Sequence, residues 1–209
     1  MSKPIVDITP KNGAGFPWGG QDANKFEQEW SMKPVVIRGY LDHNKEIKIE
    51  KKRNGERGVE VVTPFYTHLD KNDQPCGILI NRGWLAWDLK NFRHDRLNEV
   101  TSVTGILYRG DASTKYSKPN QPLMHRYQTV KPEEIAVVNQ LPNEEEAGNF
   151  MIHAVDFDES TRTIHPNVPT SSELQSFTNS AERHEAYERM WNGLTYVGVL
   201  ANTAMWLYL

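Results

Sequence analysis

The stretch that decides the fold is GILINRGW at residues 77–84, an apolar run that ends in Asn81, Arg82, Gly83 and Trp84. A short apolar run rich in β-branched residues and closed by a glycine predicts a buried strand. Comparable runs recur along the chain at residues 35–39, 46–50, 59–69, 100–108 and 150–157. Strands at such short spacing predict a mainly β domain, either a small β-barrel or a sandwich.

Local breakers refine this pattern. Pro64 interrupts the run 59–69 and places that point at a sheet edge or a bulge, since proline cannot donate a hydrogen bond to a neighbouring strand. Residues 51–58 are charged and are predicted to form a turn. Residues 132–141 predict a short helix, with Pro132 at its start and acidic residues in its first turn.

The regions on either side of the β domain differ in composition. Residues 1–31 are rich in Pro and Gly and predict an irregular arm, with a helical stretch near Asn24–Trp30. Phe16 and Trp18 leave two interpretations open, a loosely packed tail or an arm that lies on a partner. Residues 158–180 are rich in Ser, Thr, Pro and Asn and predict a loop. The sequence therefore predicts an arm (1–31), a β-rich soluble domain (32–180) and a C-terminal helix (181–209).

The C-terminal helix changes character along its length. Residues 182–189 are charged, whereas residues 190–209 carry no charge. About twenty residues of low polarity are typical of a transmembrane helix, and Trp191 and Trp206 stand where interfacial anchors are expected. A buried core helix is the alternative. Within a membrane, Asn192 and Asn202 would favour a protein neighbour over lipid, which predicts a membrane partner.

Composition excludes several classes of function. The formal net charge of the 209 residues is −3, which argues against bulk binding of nucleic acid. Cys76 is the only cysteine, so neither an intrachain disulfide nor a cysteine-based zinc site is possible. The sequence contains no nucleophile elbow, no phosphate-binding loop and no paired metal-ligand spacing. We therefore predict no catalytic residue, no metal site and no enzymatic activity.

Several segments, in order, resemble the surfeit locus protein one family. The segments are VIRGYLDHNKEI (36–47), GVEVVTPF (58–65), ILINRGW (78–84), VTGILYR (103–109) and, near the end, His184, Tyr187 and WNGL (191–194). The resemblance covers roughly residues 32–206. It implies a β domain joined to the mitochondrial inner membrane by a helix, with the soluble domain facing the intermembrane space. It also implies a role in building cytochrome c oxidase, within a hetero-oligomeric complex with oxidase subunits.

The resemblance points to specific residues. It implies a transient contact of haem a with His184, and Tyr187 and Trp191 follow at i+3 and i+7 on the same helical face. A histidine that only forms hydrogen bonds is the alternative. Within the tetrapeptide 81–84, the resemblance makes Asn81-Arg82-Gly83 the family's hallmark. Asn81 and Arg82 either fasten a neighbouring loop by hydrogen bonds or, with Gly83 and Trp84, contact a partner.

Two functions from different classes remain open. One is an assembly factor that helps to insert haem a and binds no cofactor permanently. The other is a permanent accessory subunit of the oxidase, with a structural role only. The family's usual first span is not recognisable in residues 1–31, and its Arg-Asn-Glu-His is replaced by Ala181-Glu182-Arg183-His184. Both differences favour the accessory subunit.

Overall fold

The structure is a computed structural model. It describes residues 4–10, 15–30, 33–53, 55–69, 73–91, 100–111, 119–156, 166–170 and 181–207. The chain divides into two units, Met1–Thr170 and Ser171–Leu209. Among its described residues, the first unit has the α-helices α1 (Ala23–Trp30), α2 (Pro132–Val138) and α3 (Glu144–Asn149). Its strands are β1 (Val6–Asp7), β2 (Pro34–Leu41), β3 (Ile47–Arg53), β4 (Glu56–Leu69), β5 (Pro75–Ala86), β6 (Thr101–Tyr108) and β7 (Met151–Ala154).

The strands form a closed barrel, which decides between the two predicted β architectures. Their order is β1-β2-β6-β7-β5-β4-β3, and an additional pairing of β2 with β4 closes five of them into a ring. β1 and β3 lie outside the ring, on β2 and β4 respectively. The prediction of a mainly β fold is confirmed, and each strand predicted from the sequence is present.

The ring closes over a short seam. Tyr40–Tyr66 and Leu41–Phe65 pair across it. A Cβ atom at the preceding Gly39 would lie 2.1 Å from the carbonyl oxygen of Tyr66. No side chain fits there, so glycine is required where β2 crosses β4.

Pro64 sits where β4 changes its neighbour. On one edge of β4, the pairing with β3 ends at Val62 and the pairing with β2 begins at Phe65. The proline therefore occupies a gap on this edge of β4, where no neighbouring strand would accept a hydrogen bond from a backbone N–H. Register shifts against β5 flank it, between Glu60 and Val62 and between Tyr66 and His68. This agrees with the prediction of an edge or bulge.

The barrel interior is apolar, and all five ring strands contribute to it. Its strand residues are Val35, Ile37, Phe65, Ile78, Ile80, Leu107, Ile152 and Ala154. Phe16, Trp18 and Phe26 of the arm belong to the same core and are almost fully buried. The Trp18 indole N–H donates to the carbonyl of Glu146 at 2.9 Å. Both interpretations of the arm therefore need correction, because its aromatic residues pack into the chain's own barrel.

A second core lies on the outer face of the barrel wall. Ile49, Val62, Leu79 and Met151 pack there against α2 and α3. The predicted helix is confirmed in α2, although it ends at Val138 rather than at residue 141. The run of Glu144, Glu145 and Glu146 suits either a solvated loop or a helix face, and the structure places it in the first turn of α3.

The turn predicted at residues 51–58 is present at Gly55, but it is much shorter than predicted. β3 continues to Arg53 and β4 begins at Glu56, with Arg53 paired to Glu56. The charged side chains belong to a two-stranded ribbon in which Arg57 reaches Glu50 at 3.4 Å. Charged residues suit such a ribbon because they discourage pairing with other chains.

In the described part of the second unit, residues 181–207 form a helix of 27 residues, α4 (Ala181–Leu207). The predicted helix is therefore confirmed, together with its change from charged to uncharged residues. Among the helices that the structure describes, none combines the length and the apolarity needed to cross a membrane. The transmembrane assignment of residues 190–209 stays a prediction. Most of the predicted loop 158–180 lies outside the described residues.

Candidate functional site

The hallmark tetrapeptide forms a bulged end of β5. Gly83 has a φ of +116°, a conformation that favours glycine. Its N–H donates to the Asn81 side-chain oxygen at 3.0 Å. The next residue, Trp84, exchanges backbone hydrogen bonds with Asn167, at 3.2 and 2.8 Å. A Cβ atom at Gly83 would lie 2.5 Å from the Asn167 carbonyl oxygen. The tetrapeptide thus fastens the segment 166–170 to the barrel wall.

Arg82 connects two of the family segments. Its Nη1 atom lies 3.1 Å from Oε2 of Glu46 and 3.1 Å from Nδ1 of His43. The side chains of Arg82 and Glu46 are each only 13% exposed. A guanidinium group can only donate, so the His43 nitrogen accepts and its proton resides on Nε2. Burial and the charge of Arg82 both lower the pKa of His43, which favours this neutral form.

Asn81 connects the tetrapeptide to a buried polar cluster. Its amide N–H donates to Glu60 at 3.1 Å, and burial raises the pKa of that carboxyl. Nearby, Asp111 accepts from Tyr108 Oη at 2.6 Å and from the Val130 N–H at 2.8 Å, and it pairs with Lys51.

Burial and neighbouring charges together set the pKa values of the titratable groups in this cluster. Burial alone would raise the pKa of Asp111, but hydrogen bonds from Lys51, Tyr108 and Val130 outweigh it and lower that pKa. His153 lies between Tyr108 and Asn81, facing the ring of Tyr108 at 6.0 Å. Burial, together with the charge of Arg53, lowers the pKa of His153 to about 4. Sequence reasoning missed this cluster because its members come from five separated strands and a loop.

A cleft opens where β6 ends. It has a volume of about 480 Å³ and is lined by Glu27, Arg109, Asp111 and Glu133, among others. Arg109, the last residue of the family segment 103–109, donates to Asn24 at 2.8 Å and to Glu27 at 3.1 Å. Arg109 therefore holds α1 against the barrel. A smaller pocket of about 190 Å³, which includes Trp30 and Phe150, adjoins it.

The other predicted residues lie on α4, in the second unit. The backbone of His184 and Tyr187 is helical, but their side chains lie outside the described part of the chain. Trp191 is 64% exposed, and Asn192 and Asn202 are also exposed. Within the described residues, no three His, Cys, Asp or Glu side chains are grouped so that they could hold a metal ion.

Together these contacts define a class of protein. It is a small closed β-barrel whose motif residues are engaged in internal hydrogen bonds and ion pairs, and it carries a separate long helix. The sequence model of the SURF1 family matches residues 4–196, and the chain belongs to that family. The resemblance noted in the sequence is thereby confirmed. No curated protein matches the chain.

The family is linked to cytochrome oxidase assembly. Its members are membrane-associated, and they are assembly factors rather than enzymes in the usual sense. The matched residues include the whole barrel and the first half of α4.

Proposed function

We propose that this chain is a factor in the assembly of cytochrome c oxidase, held at the mitochondrial inner membrane with its barrel in the intermembrane space. The observation that carries this proposal is the family match, which spans the barrel and reaches residue 196 of α4. The internal contacts of Arg82, a residue of the family segment 78–84, give that residue a structural role in the barrel wall, where it pairs with Glu46.

Helix α4 is the proposed attachment to membrane partners. Its residues from 190 onward are uncharged, and apolar side chains such as Leu194 and Val197 are exposed. Exposed apolar side chains on a helix favour a lipid or protein neighbour over water. Asn192 and Asn202 would then pair with polar groups of an oxidase helix.

His184 is the proposed contact for haem a. Helix α4 is continuous from Ala181, so His184, Tyr187 and Trp191 lie on one face at i, i+3 and i+7. One imidazole flanked by aromatic residues fits a flat haem, and its nitrogen would supply an axial ligand to the iron.

A permanent accessory subunit is the second candidate. The observation that favours it is the sequence at Ala181-Glu182-Arg183-His184, where only the histidine of the family segment is retained. In that case the barrel would dock on the finished oxidase, and His184 would only form hydrogen bonds.

Purification of the mature oxidase separates these two functions. One copy of the chain per enzyme supports the accessory subunit, whereas its presence only in incomplete intermediates supports the assembly factor. Deletion of the chain is expected to lower oxidase yield in either case. An unchanged yield would rule out both.

The haem role is tested by replacing His184 with Ala. We expect a lower haem a content per oxidase, because the proposed axial ligand is removed. The matched control is Glu182→Ala, a change of similar size on the opposite face of the same helix. Equal haem a content in both variants and the unmodified protein would exclude haem handling through His184.

A further inference from the structure

A loop between β6 and α2 presents two apolar side chains to solvent. We call residues 121–126 the tip loop. Leu123 is 99% exposed and Met124 is 61% exposed, and both stand at its end. The flanking residues Gln121, His125 and Arg126 are exposed as well.

The tip loop is held in one shape by backbone hydrogen bonds. Gln121 and Arg126 exchange two of them, at 2.8 and 3.2 Å, which closes the base. Inside, Met124 N–H donates to Gln121 and His125 N–H donates to Pro122, both at 3.0 Å. The last turn requires a φ of +51° at His125, an uncommon conformation for a residue other than glycine.

The base of the tip loop is anchored to the barrel. Asn120 accepts from the N–H groups of Gln128 and Thr129 and donates to the Thr129 carbonyl and to Glu134. Tyr127, directly after the loop, is buried in the outer core, and its carbonyl accepts from Glu50 of β3 at 2.8 Å. The tip loop thus projects from a fixed point on the barrel wall.

We propose that the tip loop docks into an apolar pocket of a protein partner whose rim carries carboxylates. A fluid lipid surface would gain little from a loop whose shape is fixed by backbone hydrogen bonds, whereas a shaped pocket gains affinity because the loop is already ordered. The adjacent exposed Arg126 supplies charge complementarity to an acidic rim. The identity of the partner rests on the proposed function, which makes it an oxidase subunit or an assembly intermediate.

A Leu123→Asp variant of the full-length chain tests this docking. Burial of a leucine contributes about 1.5–3 kcal/mol, so we expect roughly tenfold to hundredfold less oxidase protein to co-purify with the variant. The conservative Leu123→Met variant is expected to retain binding. The matched control is Val137→Asp, which places the same charge at another exposed apolar site, on α2.

A photoreactive amino acid at position 123 identifies what the tip loop touches. We expect adducts with an oxidase subunit from position 123 and none from position 137. Adducts with lipid alone, or equal co-purification of the Leu123→Asp and Val137→Asp variants, would overturn the inference. If deletion of the chain lowers oxidase yield but Leu123→Asp does not, the docking inference fails and the proposed function stands. If deletion has no effect, the proposed function itself fails.

Discussion

Replacement of Gly83 by Ala tests whether the hallmark tetrapeptide acts by fastening the segment 166–170. We expect the free energy of unfolding to fall for two reasons. The φ of +116° at this residue disfavours any L side chain by about 1–2 kcal/mol. The new Cβ would also lie 2.5 Å from the Asn167 carbonyl oxygen, a backbone atom that no side-chain rotation can move.

The second cost follows from that clash. The segment at Asn167 must move away, which breaks its two backbone hydrogen bonds with Trp84. Each such bond contributes about 0.5–1.5 kcal/mol, so the total loss of unfolding free energy should be about 2–5 kcal/mol.

Gly55 provides the matched control. It also has a positive φ, +85°, but no atom lies within 4 Å of its Cβ position. The Gly55→Ala variant should therefore show only the first cost, about 1–2 kcal/mol. Urea unfolding of the full-length chain, followed by tryptophan fluorescence, measures both variants. Equal losses in the two variants would refute the fastening role of the tetrapeptide.

Two further changes test the buried charges. The Arg82→Met variant leaves Glu46 buried without its main partner and should lower the unfolding free energy by about 2–4 kcal/mol. The Arg57→Met variant removes an exposed ion pair with Glu50 and a stacking contact with Trp87, and it should cost only about 1–2 kcal/mol. Urea unfolding measures both variants. A similar loss of unfolding free energy in the two would contradict the role of Arg82 in joining the two family segments. Because folding lowers the pKa of His153 to about 4, a falling pH protonates this histidine in the unfolded chain before it does so in the folded chain. Stability should therefore fall by about 3 kcal/mol as the pH drops from about 6.5 to 4. A His153→Gln variant should lose less over the same range, and an identical pH profile would contradict this assignment.

Much of the barrel could be predicted from local sequence. Apolar runs bounded by turn residues located the strands, because a strand buried on both faces must be apolar throughout. Pro64 indicated the point where β4 changes its neighbouring strand, because a proline cannot donate a backbone hydrogen bond. The charged run at residues 51–58 misled, since an edge ribbon tolerates charged side chains that a central strand does not.

The remaining features depend on contacts between distant parts of the chain. Nothing near Trp18 shows that it enters the barrel, because Glu146 and Phe150, which it contacts there, lie more than a hundred residues later. The cluster of Lys51, Asp111 and His153 forms only when strands far apart in sequence become neighbours. The motif at Gly83 could be located from the sequence, but the approach of Asn167 that explains it could not.

The aromatic arm has a consequence for synthesis of the chain. Trp18 leaves the ribosome early, yet its ring packs on Phe150 and its indole binds Glu146, 128 residues later. Until β7 has emerged, the nascent chain must carry these aromatic residues without their final burial. These aromatic side chains therefore stay exposed during translation and can associate with other chains. We infer that truncated or stalled products depend on chaperones more heavily than the complete chain does.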